Sequence, residues 1–184
     1  DGRILFRGLG EIDQVADIQL NIDASLKSTL DLMAGKPLEF TKAINIKTYN
    51  LAGTGSTDVK LNFIVEQTLT PDQVKFSANS IMRDVSISNI AFGKTMTHGS
   101  LVMNLNNRGL EVEGNARLDN MPVKLKWREN FDSDVIYQTQ YALSGGLSAE
   151  RWGELLNLDI RAFEAGHLSG DLKFDVTVDV KSNG

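Results

Sequence analysis

The sequence predicts a mainly β protein, in which roughly eight to ten amphipathic strands form an antiparallel sheet accompanied by about three short helices. Apolar and polar residues alternate over most of the chain, turn residues separate the alternating segments, and helical spacing is confined to short stretches. The segment Gly99–Glu129 alone predicts three strands and two hairpins. Because successive strand side chains point to opposite faces, this sheet has one apolar face and one charged face.

The two hairpin turns of this segment fall on residues 106–109 and 119–121, and Pro122, which follows the second turn, restricts the backbone there. In the second and third strands, glutamates, lysines and arginines take most of the alternate positions between the apolar residues. The residues predicted on the apolar face are Leu101, Met103, Leu105, Leu110, Val112, Leu118, Val123, Leu125 and Trp127.

The N-terminal part combines strands with helical spacing. The apolar run Ile4–Phe6 is typical of the end of a strand, and alternation predicts another strand over Asp17–Asp23. Ser25 is a suitable N-cap for a helix that ends at Gly35, and Pro37 is well placed to begin a second short helix. Two short helices can cover one end of a sheet but not all of it.

Strand patterning returns in the middle of the chain and again at the C-terminus. A further strand is predicted over Val135–Leu143, where Gly145 and Gly146 end it and Ser148 caps a third helix. The apolar positions of the two middle strands are Val59, Leu61, Phe63, Val74 and Phe76. Those of the last strand are Leu172, Phe174, Val176 and Val178.

Composition narrows the classes of function. The 184 residues carry a net charge of −5, which argues against a nucleic-acid or anionic-membrane surface, and the absence of cysteine excludes disulfides and thiolate metal sites. No composition shift marks a linker, so we expect one unit over residues 1–184. The chain begins without methionine and contains no run of roughly 18 apolar residues, and we expect a segment excised from a longer protein.

No catalytic, cofactor or metal site is predicted. His98 and His167 each lie beside a glycine in predicted turns, and Gly53 and Gly55 lack the lysine of a phosphate loop and are better interpreted as a strand-entry turn. The carboxylates of the last strand lie about 13 Å apart along one face, too far apart to share a cation. These carboxylates are Asp171, Asp175 and Asp179.

The apolar face is large enough to require a cover. Strands of about seven residues at 3.3 Å rise, spaced about 4.8 Å apart, give a face of roughly 23 by 38 Å. This exceeds the few hundred Å² of contiguous apolar surface that a soluble monomer usually exposes. The sheet can fold onto itself as a sandwich, close as a barrel, or remain a trough that holds an apolar ligand. Periodicity does not choose among these solutions.

Four segments resemble the central region of the YhdP-type AsmA-like proteins of Gram-negative bacteria, from about Ser25 to Val178. They read LKSTLDLMAGKPLEFTKAI, AGTGSTDVKLNFIV, TMTHGSLVMNLNNRGLEVEGNARLDNMPVKLKWREN and GLSAERWGELLNLDIRAFEAGHLSGDLKFDVTV. The most specific part combines Gly99, Gly109, Gly114, Pro122 and Trp127–Glu129. The loop over Arg161–His167 is longer and more polar than in that family.

The resemblance implies a curled antiparallel sheet that forms a groove, a β-taco, within the periplasmic part of an inner-membrane-anchored protein. It also implies phospholipid transport between the inner and outer membranes and a role in outer-membrane integrity. On this implication the apolar residues named above line the groove and contact acyl chains. Neighbouring groove modules of the same chain are further expected partners, and the family has no catalytic residues to transfer.

Two other functions stay open at this point. A β-sandwich module could recruit envelope proteins through its edges instead of binding lipid. An enzyme is the weakest alternative, because the regular spacing of the carboxylates gives no reason to expect a clustered acid pair.

Overall fold

The computed structural model describes residues 1–10, 14–35, 50–66, 68–70, 73–91, 94–132, 135–147 and 172–181. For residues 33–34, 89–91, 147 and 172–181 it describes the backbone alone. Nine strands and one helix lie in these ranges. The strands are β1 Gly2–Arg7, β2 Val15–Ser25, β3 Leu51–Ile64, β4 Lys75–Ala91, β5 Lys94–Asn106, β6 Gly109–Leu118, β7 Met121–Asn130, β8 Tyr137–Leu147 and β9 Leu172–Lys181, and the helix is α1 Leu26–Ala34.

The nine strands form one sheet in which each strand pairs with its neighbours in sequence. Every described pairing is antiparallel, from β1–β2 to β8–β9. The sheet is not closed, since β1 and β9 are its two edge strands. This confirms the mainly β antiparallel fold and removes the closed barrel from the three solutions.

Helix α1 follows β2 without a loop, as the sequence predicts. Its N-cap is Ser25, whose hydroxyl accepts a hydrogen bond from the backbone N–H of Ser28, and Gly35 is its C-cap. Leu26 packs against Gly55 of β3 so closely that an added Cβ at Gly55 would lie 2.9 Å from the Leu26 side chain. The two other predicted helices fall at residues outside the described ranges.

The hairpin between β6 and β7 has a two-residue turn. Asp119 and Asn120 both have positive φ, 45° and 69°, which is the conformation of a type I′ turn. The turn is therefore one residue shorter than the predicted 119–121, and Met121 and Pro122 both belong to β7. Proline lacks the backbone N–H that a strand donates to its neighbour. Pro122 is tolerated in β7 because the described pairing of β7 with β8 begins only at Val123, so no described hydrogen bond between these strands needs the N–H of residue 122.

Three neighbouring strands, β3, β4 and β5, contain β-bulges. Register shifts occur in β3 between Ala52 and Thr54, in β4 after Met82, and in β5 between Thr97 and Ser100. The predicted turns at Gly53 and His98 were therefore wrong, since both residues lie within strands at bulges, where their φ angles are positive. A bulge adds one residue to a strand and bends it, so a glycine beside it resembles a turn in sequence.

Strand β8 continues past the point where the sequence predicts its end. Gly145 pairs with Val123 of β7 and with Phe174 of β9, and Gly146 pairs with Lys173. The prediction that these glycines break the strand was wrong, because ladders on both sides supply backbone hydrogen bonds that outweigh the low strand propensity of glycine.

The core lies on one face of the sheet, which we call the inner face. It holds Val59, Leu101, Leu105, Leu110, Val112 and Leu125, together with Leu26 of α1. The opposite, outer face carries most of the charged residues, including the ion pair between Arg128 and Glu111 at 2.7 Å. The predicted division into an apolar and a charged face is present in the described strands.

Candidate functional site

The inner face contains an apolar cavity of about 80 Å³. Thr57 and Ser80 bond to each other through their hydroxyls at 2.8 Å, which satisfies both groups, and the surface that faces the cavity is entirely apolar. The lining side chains come from α1 and from the five strands β3–β7. They are Leu26, Thr29, Leu30, Leu51, Thr57, Ser80, Met82, Val85, Ile87, Met96, Leu101, Met103, Leu110, Val112, Leu125 and Trp127.

Six of the predicted groove residues border this cavity, namely Leu101, Met103, Leu110, Val112, Leu125 and Trp127. Val59, Val74, Leu105, Leu118 and Val123 are buried elsewhere in the core. Leu61 and Phe76 border a second cleft with residues of β2, and Phe63 is half-buried. For Leu172, Phe174, Val176 and Val178 the structure describes backbone positions in β9 and no side chains.

Sequence reasoning missed the contribution of α1 and of the bulged ends of β4 and β5. Leu26 and Leu30 show helical spacing, but periodicity does not tell which strands a helix contacts. Val85 and Met96 lie beyond the bulges, where alternation in the sequence loses its phase.

Cross-strand pairing arranges the inner face in rows. The row through Glu129, which we call the Glu129 row, runs across β2–β8 as Leu20, Val59, Ala78, Leu105, Leu110, Glu129 and Thr139. The next row along the strands carries Met103, Val112, Trp127 and Tyr141. Glu129 thus interrupts an otherwise uncharged row, and its phase with Val123, Leu125 and Trp127 was readable from the sequence.

Aromatic and polar groups surround Glu129. Its Oε2 accepts a hydrogen bond from Trp127 Nε1 at 3.1 Å, and its Oε1 accepts one from Thr139 Oγ1 at 2.8 Å. The Trp127 and Tyr141 rings stack with centroids 5.9 Å apart and planes 17° apart. Burial raises the pKa of Tyr141, and the charge of Glu129 raises it further.

A polar cleft of about 600 Å³ lies at the same end of the sheet. It includes the β5–β6 turn, the end of β7 and the residues after it, and Leu110 borders both this cleft and the apolar cavity. The charged residues at its wall are Arg108, Glu111, Arg128, Glu129 and Asp132. Arg128 and Glu111 neutralise each other as an ion pair.

The described residues contain no group of three histidines, aspartates or glutamates arranged to hold a metal ion. Within the same ranges, no helix has the length and hydropathy needed to cross a membrane. Comparison of the chain with family models, curated proteins and solved structures found no match. The resemblance to the AsmA-like proteins therefore stays a prediction, and function must be argued from the cavity and the cleft.

Proposed function

We propose that this chain is a non-enzymatic segment of a periplasmic bridge-like protein that binds acyl chains on the inner face of its sheet. It would support phospholipid transport between inner and outer membranes and outer-membrane integrity. The apolar cavity carries this proposal, since its wall offers hydrocarbon ligands an environment without competing polar groups. Removing an acyl chain from water favours binding by about 0.8 kcal/mol per buried CH₂.

The position of the cavity supports a sheet curled into a groove. Thr57 of β3 and Trp127 of β7 both border it, although in a flat sheet four strand spacings of about 4.8 Å would separate them by about 19 Å. A compact cavity that both strands reach favours curvature around the inner face. The bulges in β3, β4 and β5 supply positions at which the strands bend.

The size of the cavity sets a condition on binding. Its volume of about 80 Å³ is smaller than the apolar cavity of roughly 150 Å³ that accepts benzene in an engineered protein. A longer acyl chain must therefore displace side chains, and the half-buried Met103 and Trp127 are suited to this. Methionine adapts most readily, because it is unbranched and has three rotatable bonds.

Filling the cavity tests the proposal. Val112→Phe places a ring in the cavity, and we expect its affinity for the fluorescent fatty acid cis-parinaric acid to fall at least tenfold. Overpacking costs about 1–3 kcal/mol of stability, so thermal unfolding is measured alongside. Val102→Phe is the matched control, because Val102 lies on the outer face of the neighbouring strand and is exposed.

Lipid extraction and mass spectrometry of the purified protein complete this test, and phospholipid or fatty acid is the expected result. Absence of bound lipid together with no binding of cis-parinaric acid would overturn the proposal. Equal binding by Val112→Phe and Val102→Phe would show that the inner cavity is not where the fatty acid binds.

A specific observation favours an assembly module as the second candidate. Strand β1 is exposed along its whole length, and Ile4, Leu5 and Phe6 are exposed apolar residues on a sheet edge. Such an edge can pair with a strand of an envelope protein or of a neighbouring module. Loss of a protein partner in Leu5→Pro, with fatty-acid binding absent from the wild type, would favour this candidate over lipid binding.

A further inference from the structure

The described sheet has two edges, strand β1 and strand β9. All six residues of β1 are exposed, and the apolar Ile4 and Phe6 are 59% and 52% exposed. Prolines and β-bulges are two devices that keep an edge strand from pairing, and the described strand β1 has neither. The unpaired backbone groups of β1 are therefore open to a further strand.

Cross-strand register assigns the residues of β1 to the two faces of the sheet. Through β2, the register places Ile4 in the row of Leu61, which packs against the core. Ile4 and Phe6 therefore belong to the inner face. Arg3 and Arg7 alternate with them and belong to the outer face.

The backbone register of β9 gives the corresponding assignment at the other edge. Val178 pairs with Tyr141, which lies in an inner-face row, and Val176 shares its phase. Asp175 and Asp179 hold the alternate, outer-face positions. The outer-face rows thus carry arginines in β1 and aspartates in β9, and residues 3 and 7 have the same spacing as residues 175 and 179.

The direction of the two edge strands decides how a second copy of the chain fits. The nine strands follow one another with antiparallel pairing throughout, so β1 and β9 run in the same direction. If β1 of a second copy lies beside β9 and both inner faces are on one side, the two strands are parallel. Antiparallel pairing would turn the second copy over and put its apolar positions beside the aspartates. Parallel pairing is therefore the arrangement that matches both faces.

One register of this parallel pairing matches the charges of the two edges. It sets residue Arg3 beside Asp175 and residue Arg7 beside Asp179. Opposite charges at neighbouring positions of two strands stabilise their pairing. Arg7 already forms an ion pair with Asp17 of its own copy at 2.7 Å, whereas Arg3 forms none with another described residue. Arg3 therefore gains most from a second copy.

Other pairings of β1 bring like charges together. A shift of the register by one residue exchanges the faces, and the next shift that keeps them sets Arg7 beside Lys181 or Arg3 beside Lys173. Pairing of β1 with a second β1 joins two strands that each carry Arg3 and Arg7 and no acidic residue. Like charges at neighbouring positions destabilise strand pairing, so the charge pattern favours β9 as the partner of β1.

We propose that β1 of one copy of this chain pairs in parallel with β9 of a second copy, with Arg3 beside Asp175 and Arg7 beside Asp179. Backbone hydrogen bonds hold the two strands together, while the exposed charge pairs determine register and partner choice more than affinity. Because the interface joins two different edges, each copy keeps a free edge of the other kind and association continues head to tail. The inference rests on the assembly module named above as the second candidate function, and it does not depend on acyl-chain binding.

Charge exchange tests the pairing by sedimentation equilibrium at low ionic strength, over concentrations up to roughly 1 mM. We expect reversible association of the wild-type protein, which Arg3→Glu weakens about fivefold. Adding Asp175→Lys to Arg3→Glu should restore the wild-type association, whereas adding Asp179→Lys should not. Arg117→Glu is the matched control, because it makes the same charge change at an exposed position of the central strand β6.

Cross-linking tests which edges meet, and the absence of cysteine from the chain makes single-cysteine variants specific. In the proposed register residue 4 of one copy lies beside residue 176 of the next. A short bismaleimide should therefore link a mixture of Ile4→Cys and Val176→Cys, and it should link neither variant alone. Cross-linking of Ile4→Cys with itself would show that two β1 strands meet, which would overturn the inference.

The outcomes separate this inference from the proposal of acyl-chain binding. A wild-type protein that stays monomeric over the whole concentration range would overturn the inference and leave the binding of cis-parinaric acid untouched. Equal weakening by Arg3→Glu and Arg117→Glu would assign the effect to net charge and overturn the pairing of Arg3 with Asp175. If Asp175→Lys does not fold, the mixture of cysteine variants decides, and absence of a cross-link in it overturns the inference.

Discussion

Strands β1 and β6 belong to one sheet and carry similar apolar residues, but they differ in what lies beside them. Leu110 of β6 is 1% exposed, whereas Ile4 and Phe6 of β1 are 59% and 52% exposed. Strand β6 has a neighbour on each side and borders the cavity, while β1 pairs with β2 alone. The burial of an apolar residue in this sheet thus depends on the neighbours of its strand more than on the residue itself.

The difference also separates two kinds of surface. The inner-face residues of β4–β7 are mostly buried and line the cavity, so they contribute to the core through packing. The edge at β1 presents unpaired backbone groups beside apolar side chains, which is a surface for strand pairing. Arg7 of β1 forms an ion pair with Asp17 of β2 at 2.7 Å, on the paired side of the strand.

The largest expected effect comes from truncating an apolar residue in each region. Leu110→Ala should lower the free energy of unfolding by about 2–5 kcal/mol, because it enlarges a cavity in the core. Ile4→Ala should change it by less than about 0.5 kcal/mol, since most of that side chain already contacts water. Urea denaturation followed by circular dichroism measures both. Similar losses in the two variants would contradict the comparison.

A glycine pair gives the next largest effect. An added Cβ at Gly114 of β6 would meet the backbone oxygen of Ser100, and its φ of +151° is unfavourable for other residues. At Gly146 of β8 nothing lies within 4 Å of an added Cβ. We expect Gly114→Ala to lower the free energy of unfolding by about 1–3 kcal/mol, because the new side chain strains the backbone. Gly146→Ala should leave the free energy of unfolding almost unchanged. A lower melting temperature in Gly146→Ala than in Gly114→Ala would refute this.

A smaller effect concerns the polarity of the inner face at β8. Burial raises the pKa of Tyr141 and the Glu129 charge adds to it, so Glu129→Gln should lower that pKa while leaving it above the ordinary value. Because the folded-state pKa is raised, the contribution of Tyr141 to stability is present below pH 10 and is lost as the pH rises through the folded-state value. Titration of the tyrosine NMR signal measures the shift, and an unchanged pKa in Glu129→Gln would argue against close contact of the two groups.

The smallest effect is expected at the β6–β7 turn. Hydrogen bonds from the Lys94 ammonium and the Thr95 backbone N–H hold the pKa of Asp119 below its ordinary value. Asp119 therefore stabilises the fold above pH 4, and this contribution is lost as the pH falls through the folded-state pKa. Asp119→Asn retains a residue that tolerates positive φ. The difference in melting temperature from wild type should shrink between pH 6 and pH 2, and a constant difference would contradict this assignment.

The sequence predicted the strands well where the pairing between neighbouring strands is regular, because apolar and polar residues then alternate without interruption. The hairpins of β5, β6 and β7 and the capped helix at Ser25 were predicted from local signals that tertiary contacts reinforce. The positions of Gly53, Gly145 and His98, which precedes Gly99, were predicted wrongly. Glycine has the same local signature in a turn, at a bulge and inside a paired strand. For the candidate site, alternation identified the inner-face residues of β5–β7, while the contribution of α1 required the contact of Leu26 with Gly55.

The sequence by itself determined the strand type, the two-faced character of the sheet and the phase that puts Glu129 with Leu125 and Trp127. These properties follow from the two-residue period of a strand, which is local. The tertiary structure decided that β1 and β9 remain edges and that α1 and strands β3–β7 meet around one cavity. Bulges, strand pairing and helix packing decide these arrangements, and they depend on contacts between residues far apart in the chain.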